Sequence, residues 1–227
     1  MKRLSILLLL LFTAIHAQTL SADDILNELK TAADTLQDAR FVVTGELNGL
    51  SDSPTPLELN VSVVPGVKAA KVEFIQPTEL ADNFIVMNGE DVYNYVYLTN
   101  QVTIFSADDP EALGGLFPEG NSDQGFDFTF NPEQLFRGWS ASVEGYRETP
   151  EGGVYDMRFV NEEPAASVTY AEASIVAELW YPLSITFYGL EDETLLALNI
   201  EDFERDQGLD PEDITYIPDN AEVIDER

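Results

Sequence analysis

The chain has 227 residues, with 42 Asp and Glu against 11 Lys and Arg, one His and no Cys, and its net charge is −31 at neutral pH. So few basic residues cannot neutralise nucleic-acid phosphates, and a chain without Cys forms no disulfide and no thiolate metal site. The 44% hydrophobic content is enough for a core, so we interpret the acidity as a solubility feature of a folded protein.

Residues 1–17 are predicted to be a signal peptide. Lys2 and Arg3 precede an apolar run from Leu4 to Ile15, and Ala17 ends a cleavage site. The run is shorter than the roughly 20 residues that span a bilayer, so cleavage is favoured over the alternative of an uncleaved anchor. We expect residues 18–227 to form a single soluble periplasmic domain. Cleavage also removes the one His, and with it His-dependent nucleophiles and imidazole-bound zinc.

The residues from 21 to 36 predict the one long helix. Ser21 followed by Asp24 has the pattern of a capping box. An apolar stripe at helical spacing predicts that one face is buried, and it consists of Ile25, Leu29, Ala32, Ala33 and Leu36.

From Phe41 onward the apolar period changes to two, which predicts strands. In residues 57–64 every second side chain is Leu or Val, and polar side chains lie between them. Similar segments linked by short turns bring the total to about ten or eleven strands, which indicates an antiparallel meander.

Residues 84–106 are predicted to form three of these strands, with turns at Asn88-Gly89 and at Thr99-Asn100. Tyr93, Tyr95 and Tyr97 fall on one face of the middle strand, because side chains alternate across a strand. They are either ordinary strand aromatics or part of the lining of a cavity.

Residues 108–139 interrupt the strand pattern. Five glycines, two Asx-Pro helix starts and several apolar side chains predict two short helices on mobile connections. With the first helix they could cover the concave side of a curved sheet. Such a sheet either fills its interior with side chains or keeps a cavity, and the pattern leaves both open.

Acidic pairs, such as Asp108-Asp109 and Glu162-Glu163, could serve a carboxylate-dependent hydrolase. With 42 acids in the chain, however, such pairs are expected by chance. No loop has the twelve-residue calcium pattern, and no cofactor or catalytic residue is predicted.

Residues 71–104 resemble the LolA-type periplasmic lipoprotein carriers. The shared features are an aromatic strand with Phe74, then Pro77, an apolar strand, an Asn-Gly turn, an aromatic-x-Tyr strand and Asn-Gln-Val. The closing residues, LDPEDITYIPDNAEVIDE, are also similar to the family's end pattern. The likeness extends over most of residues 20–225, and the RseB-like sensor proteins share the same fold.

The resemblance implies an unclosed antiparallel β-barrel, with an N-terminal helix and short lid helices over an apolar cavity that holds acyl chains. It also implies an inner-membrane ABC-type release complex and an outer-membrane acceptor as partners of a monomeric carrier. We predict that twelve side chains line the cavity, namely Leu29, Leu47, Val61, Val72, Phe74, Val86, Tyr93, Tyr95, Phe105, Leu116, Phe117 and Phe136. One departure is Val64-Pro65, where the Gram-negative carriers have the Arg-Pro that holds the lid shut; Lys68 is nearby but not equivalent by position.

Overall fold

Twelve strands form one open sheet in the computed structural model, which describes residues 20–48, 54–107, 109, 131–150, 152–163 and 166–227. The strands are β1 (Ala39–Leu47), β2 (Thr55–Val64), β3 (Ala69–Gln76), β4 (Phe84–Asn88), β5 (Asp91–Val96), β6 (Gln101–Ser106), β7 (Trp139–Thr149), β8 (Gly152–Asn161), β9 (Tyr170–Val176), β10 (Tyr181–Tyr188), β11 (Thr194–Arg205) and β12 (Glu222–Asp225). The α-helices are α1 (Ala22–Thr35), α2 (Pro132–Leu135) and α3 (Pro211–Ile214), and two 3₁₀ turns cover Pro65–Val67 and Thr78–Leu80. None of the described helices has the length and apolar character needed to cross a bilayer.

The strand order is β12-β6-β5-β4-β3-β2-β1-β11-β10-β9-β8-β7. Every neighbouring pair is antiparallel except β12 and β6, which run parallel. Register shifts, each the mark of a bulge or irregularity, interrupt five of the pairs. Bulges strengthen the twist of a sheet, and strongly twisted sheets of this width curl. The predicted fold class, an unclosed and mainly antiparallel barrel, is confirmed.

Helix α1 begins and packs as its sequence predicts. The hydroxyl of Ser21 accepts a hydrogen bond from the backbone N–H of Asp24, and the Asp24 carboxylate accepts one from the backbone N–H of Ser21. This capping box satisfies two N–H groups that the helix itself cannot bond. On the apolar stripe, Ile25, Leu29 and Ala33 are buried.

One face of the sheet, called the interior here, carries the buried side chains of most strands. Phe41 of β1 lies opposite Val61 of β2, and Val61 lies opposite Val72 of β3. The same face continues through Val43 and its partner Ile200 into β11, and from there into β10, β9 and β8. Helix α1 packs on this interior face, because its buried side chains belong to the same apolar cluster as side chains of β8, β9 and β10.

The chain after β11 crosses the opposite, outer face of the first half of the sheet. This C-terminal crossover, residues 206–221, starts beside Asp38, before β1, and ends where Glu222 donates its backbone N–H to the carbonyl of Asn100. Its short helix α3 lies against β2 and β3. Ile214 of α3 is buried and belongs to neither interior cluster, so the crossover covers the outer face.

The crossover and β12 were not foreseen as structural elements. Strand β12 has only four residues, and its partner β6 lies more than a hundred residues earlier in the chain. The predicted signal peptide, residues 1–17, lies outside the described residues. Of the predicted segment 108–139, the structure describes residue 109 and residues 131–139, and α2 is the one helix among them.

Replacing Asp38 by Ala is expected to loosen the C-terminal crossover. Asp38 is 4% exposed, and its carboxylate accepts hydrogen bonds from the backbone N–H groups of Gln207 and Gly208, at 2.9 and 2.8 Å. Losing both bonds should lower the free energy of unfolding in urea by about 1–3 kcal/mol. The control Asp34→Ala removes an exposed carboxylate paired with Lys30 and should cost less than about 0.5 kcal/mol. Equal effects would contradict an anchoring role for Asp38.

The contact between Arg227 and Asp225 should be lost at acid pH. The guanidinium of Arg227 donates hydrogen bonds to Asp225 and Asp91, and this contact lowers the pKa of Asp225 from 3.8 to about 2. A carboxylate with a lowered pKa stabilises the folded chain above about pH 4, and that contribution is lost as the pH falls toward 2. NMR titration should therefore show Asp225 titrating near pH 2, and near its ordinary pH in Arg227→Ala. A wild-type midpoint near 3.8 would refute the contact.

Candidate functional site

The interior side chains form two apolar clusters. The sheet cluster is buried between strands and consists of Ala39, Phe41, Val43, Leu57, Leu59, Val61, Val63, Ala70, Val72, Phe74, Ile85, Val92, Val154, Val176, Tyr181 and Ile200. The helix-covered cluster lies under α1 and consists of Ile25, Leu29, Tyr155, Met157, Phe159, Ala171, Ala173, Ile175 and Ile185.

Phe136 joins the segment after α2 to the helix-covered cluster. Its ring stacks on Phe159 with the centroids 3.8 Å apart, and Trp139 meets it edge-on at 5.6 Å. Phe187 of β10 lies 6.5 Å from it on the other side. Four aromatic rings from four parts of the chain therefore meet beneath the helical cover, and such ring pairs stabilise a core beyond the area that they bury.

The helix-covered cluster is the less completely buried of the two. Among the described residues, ten partly buried hydrophobic residues pack around its nine buried ones, whereas seven surround the sixteen of the sheet cluster. Its covers are one helix of 14 residues and the short stretch around α2. An apolar surface covered by helices is the place in the described part of the fold where a hydrocarbon ligand could replace protein contacts.

The register divides the predicted cavity residues between the two faces of the sheet. Leu29 and Phe136 meet in the helix-covered cluster. Val61, Val72 and Phe74 are buried in the sheet cluster, and Phe105 packs against it. The side chain of Leu47 and all of Leu116 and Phe117 lie outside the described residues.

The three remaining predicted residues, Val86, Tyr93 and Tyr95, lie on the outer face. Val86 pairs with Lys71 and Tyr93, whereas Val72, the interior neighbour of Lys71 along β3, pairs with Ile85. Because neighbouring residues of a strand point to opposite faces, one cavity cannot be lined by both sets.

Of the tyrosine stripe, Tyr95 is instead buried and Tyr93 half-buried on the side that the C-terminal crossover occupies. Tyr95 is 6% exposed, stacks on Phe84 at 4.6 Å and donates its hydroxyl hydrogen to the side chain of Asn100. The amide of Asn100 in turn donates to the carbonyl of Asn220 in the crossover. Burial raises the pKa of Tyr93, with Asp91 adding to the effect. Tyr97 lies beyond β5 in the turn and is 60% exposed.

The interior aromatic residues of the later strands were missing from the predicted set. Tyr155, Met157 and Phe159 alternate along β8, so the period-two pattern contained the signal. What the sequence did not reveal is that this face, and not the face of the tyrosines in β5, lies under α1.

Among the described residues, neither Val64 nor Lys68 provides a cation that could hold a lid in the way the Arg of the Gram-negative carriers does. Val64 is half-buried and apolar, and the ammonium group of Lys68 pairs with Glu90 at the surface.

The outer face of the later strands is polar. Arg147 pairs with Asp156 at 3.1 Å, and Arg158 pairs with Glu172 at 2.9 Å. A pocket of about 370 Å³ on this side includes Glu144 in its lining. Such a surface suits water and not hydrocarbon.

Comparison with known proteins supports the fold. No protein-family model and no curated protein matches the chain. An uncharacterized conserved protein from Thermus thermophilus matches with a TM-score of 0.63 and 21% identity, over 90% of this chain and 98% of that one. The lipoprotein LppX of Mycobacterium tuberculosis matches with a TM-score of 0.53 and 12% identity, over 84% and 99%.

MucB matches with a TM-score of 0.56 and 16% identity, over 89% of this chain, and the chain spans 65% of MucB. MucB of Pseudomonas aeruginosa also matches in its complex with MucA. The chain therefore has the fold of LppX and MucB. The resemblance predicted from residues 71–104 is confirmed at the level of the fold.

Replacing Phe136 by Ala should release the segment after α2 from the interior. The lost stacking on Phe159 should lower the free energy of unfolding by about 1–3 kcal/mol and shift the emission of Trp139 to longer wavelength. Tyr188→Ala removes a comparable stack on Tyr170, at 4.4 Å, from the outer face and should leave Trp139 unchanged. Unchanged emission in Phe136→Ala would show that the contact does not hold the segment.

Proposed function

We propose that the protein is a periplasmic carrier that holds acyl chains of lipoproteins or other lipids in its interior and moves them toward the outer membrane. The observation that supports this most is the helix-covered cluster, in which α1 and Phe136 pack on an apolar surface of β8, β9 and β10. The folds of the lipoprotein LppX and of MucB are compatible with it.

Hydrocarbon chemistry explains why a carrier needs such an interior. Each CH₂ group exposed to water costs about 0.8 kcal/mol, so a 16-carbon chain costs roughly 12 kcal/mol. An apolar interior makes transfer out of a membrane nearly neutral. Release then requires only a modest difference in affinity between the carrier and the next acceptor.

The proposal assigns the binding surface to the interior face. Leu29 and Phe136 would contact the chain first, and Val61, Val72, Phe74 and Phe105 lie further along the same face. Helix α1 and residues 108–139 act as the gate, and Phe136 is the described contact between that segment and the binding surface. An inner-membrane ABC-type release complex and an outer-membrane acceptor are the proposed partners.

A second candidate is an envelope sensor that binds a membrane-anchored regulator. It is favoured by the likeness to MucB, which is solved in complex with MucA. Affinity purification from the native envelope separates the two: an ABC-type complex supports the carrier, and an anti-sigma factor supports the sensor.

A carboxylate-dependent hydrolase has no such support. Within the described part of the chain, Asp38 is the one buried polar side chain, and its carboxylate accepts hydrogen bonds from the C-terminal crossover.

A charge on the interior face should weaken acyl binding, and the same charge on the outer face should not. Phe187 and Tyr188 are consecutive in β10 and point to opposite faces. Phe187→Asp is expected to weaken binding of a fluorescent fatty-acid probe by about tenfold or more, since a carboxylate beside hydrocarbon must be desolvated or neutralised. Tyr188→Asp should change the affinity by less than about twofold.

Both variants should keep the circular dichroism spectrum of the wild type. Leu26→Asp tests the same face from α1 if Phe187→Asp does not fold. Equal affinities of the two β10 variants would argue against binding on the interior face. Absence of acyl species from protein purified from its native host, judged by mass spectrometry, would argue against the carrier itself.

A further inference from the structure

A cavity of about 490 Å³ opens where the start of α1 approaches the edge strand β7, and its lining is Leu20, Val143, Glu144, Gly145 and Tyr146. Val143 and Leu20 also pack against the helix-covered cluster. The cavity is therefore continuous with the proposed acyl-binding surface, and we call it the mouth.

Aromatic rings extend from the mouth into the interior. Tyr146 is 43% exposed, and its ring centroid lies 4.9 Å from that of Tyr155. Tyr155 stacks on Trp180 at 6.2 Å with nearly parallel planes. The edge of the Tyr146 ring lies over Gly153. A Cβ at position 153 would come within 2.2 Å of the Tyr146 hydroxyl oxygen, so glycine leaves the space that the ring occupies.

The charges that surround Tyr146 are negative. Its hydroxyl donates a hydrogen bond of 2.7 Å to Glu148, which raises the pKa of Tyr146 to about 12, and the charge of Glu178 adds to the rise. Glu178 is held beside the ring by a hydrogen bond that its carboxylate accepts from the backbone N–H of Gly153.

Two described arginines of neighbouring elements, Arg147 and Arg205, are engaged elsewhere. The side chain of Arg147 pairs with Asp156 and donates to Ser174 on the outer face. Arg205 pairs with Asp206 and reaches the carbonyl of Leu179 at 3.5 Å. The partial positive charge at the start of α1 is offset by two acidic residues in its first turn.

We propose that the mouth binds the positively charged head of an amphiphile, an amine or a quaternary ammonium group, while its acyl chain lies on the helix-covered cluster. An exposed aromatic face flanked by carboxylates attracts a cation through the ring quadrupole and through direct charge, and it disfavours phosphate or carboxylate heads. The inference rests on the proposed function, since it specifies which amphiphiles the same interior would accept.

The test compares three amphiphiles that share a 16-carbon chain, each used below its micellar concentration. The heads are trimethylammonium, neutral maltoside and sulfate, and displacement of the fluorescent fatty-acid probe gives each dissociation constant. Wild-type protein should bind the ammonium compound at least about threefold more tightly than the maltoside, with the sulfate weakest. The preference should persist in about 0.5 M salt, which screens the general charge of the protein.

Two variants remove either the aromatic ring or the two carboxylates beside it, and one matched control keeps all three groups. Tyr146→Leu and Glu148→Gln/Glu178→Gln should each reduce the preference for the ammonium compound over the maltoside to less than about 1.5-fold. Glu162→Gln/Glu163→Gln removes the same two charges from exposed positions beyond the end of β8 and should keep the full preference. Circular dichroism checks the fold of every variant.

The outcomes separate the inference from the function on which it rests. Equal binding of ammonium and maltoside, or a preference that survives both mouth variants, overturns the inference and leaves acyl binding intact. Failure of all three compounds to displace the probe overturns both. A lysophosphatidylcholine and a palmitoylated lysine peptide then distinguish a lipid head from the amines of a lipopeptide, because the better displacer identifies the source of the cation.

Discussion

The structure depends on covering the apolar face of a very wide sheet. Twelve strands spaced by about 4.8 Å would extend more than about 50 Å if flat, whereas a helix of 14 residues is roughly 21 Å long and about 10 Å across. Helix α1 cannot shield such a surface alone. Curling, assisted by the interrupted register, lets the strands shield one another in the sheet cluster and leaves a smaller area for the helix.

The interior and outer faces of the sheet are covered in different ways. The interior side chains of the first strands pack with side chains of β8 to β11 in the sheet cluster, and the C-terminal crossover lies on their outer face, which accounts for the burial of Tyr95 without any ligand. The outer face of the later strands carries ion pairs and needs no cover. Within the described part of the chain, the helix-covered cluster combines an apolar surface with a small and separable cover, and this difference locates the candidate site.

Much of the architecture could be predicted from the sequence because it rests on local patterns. The capping box and apolar stripe define α1, and alternation defines most strands. Which side chains of β4 to β6 point to the interior could not be predicted. An aromatic stripe such as Tyr93 and Tyr95 has the same sequence pattern whether a helix, a lipid or a crossing chain covers it. That choice depends on residues 206–221, whose packing involves contacts distant in sequence, such as the bonds of Asp38 to the backbone just after β11.

The uneven distribution of packing also bears on how such a protein could release what it binds. A ligand that replaces contacts in a fully packed core must compete with all of them, whereas one that enters beneath a helix competes only with the contacts of that helix. Regions that open in the native state are those of low local stability, and among the described residues α1 and Phe136 are the covers that would have to move. The densely packed sheet cluster can then stay closed while the helix-covered cluster opens, so opening need not cost the stability of the whole sheet.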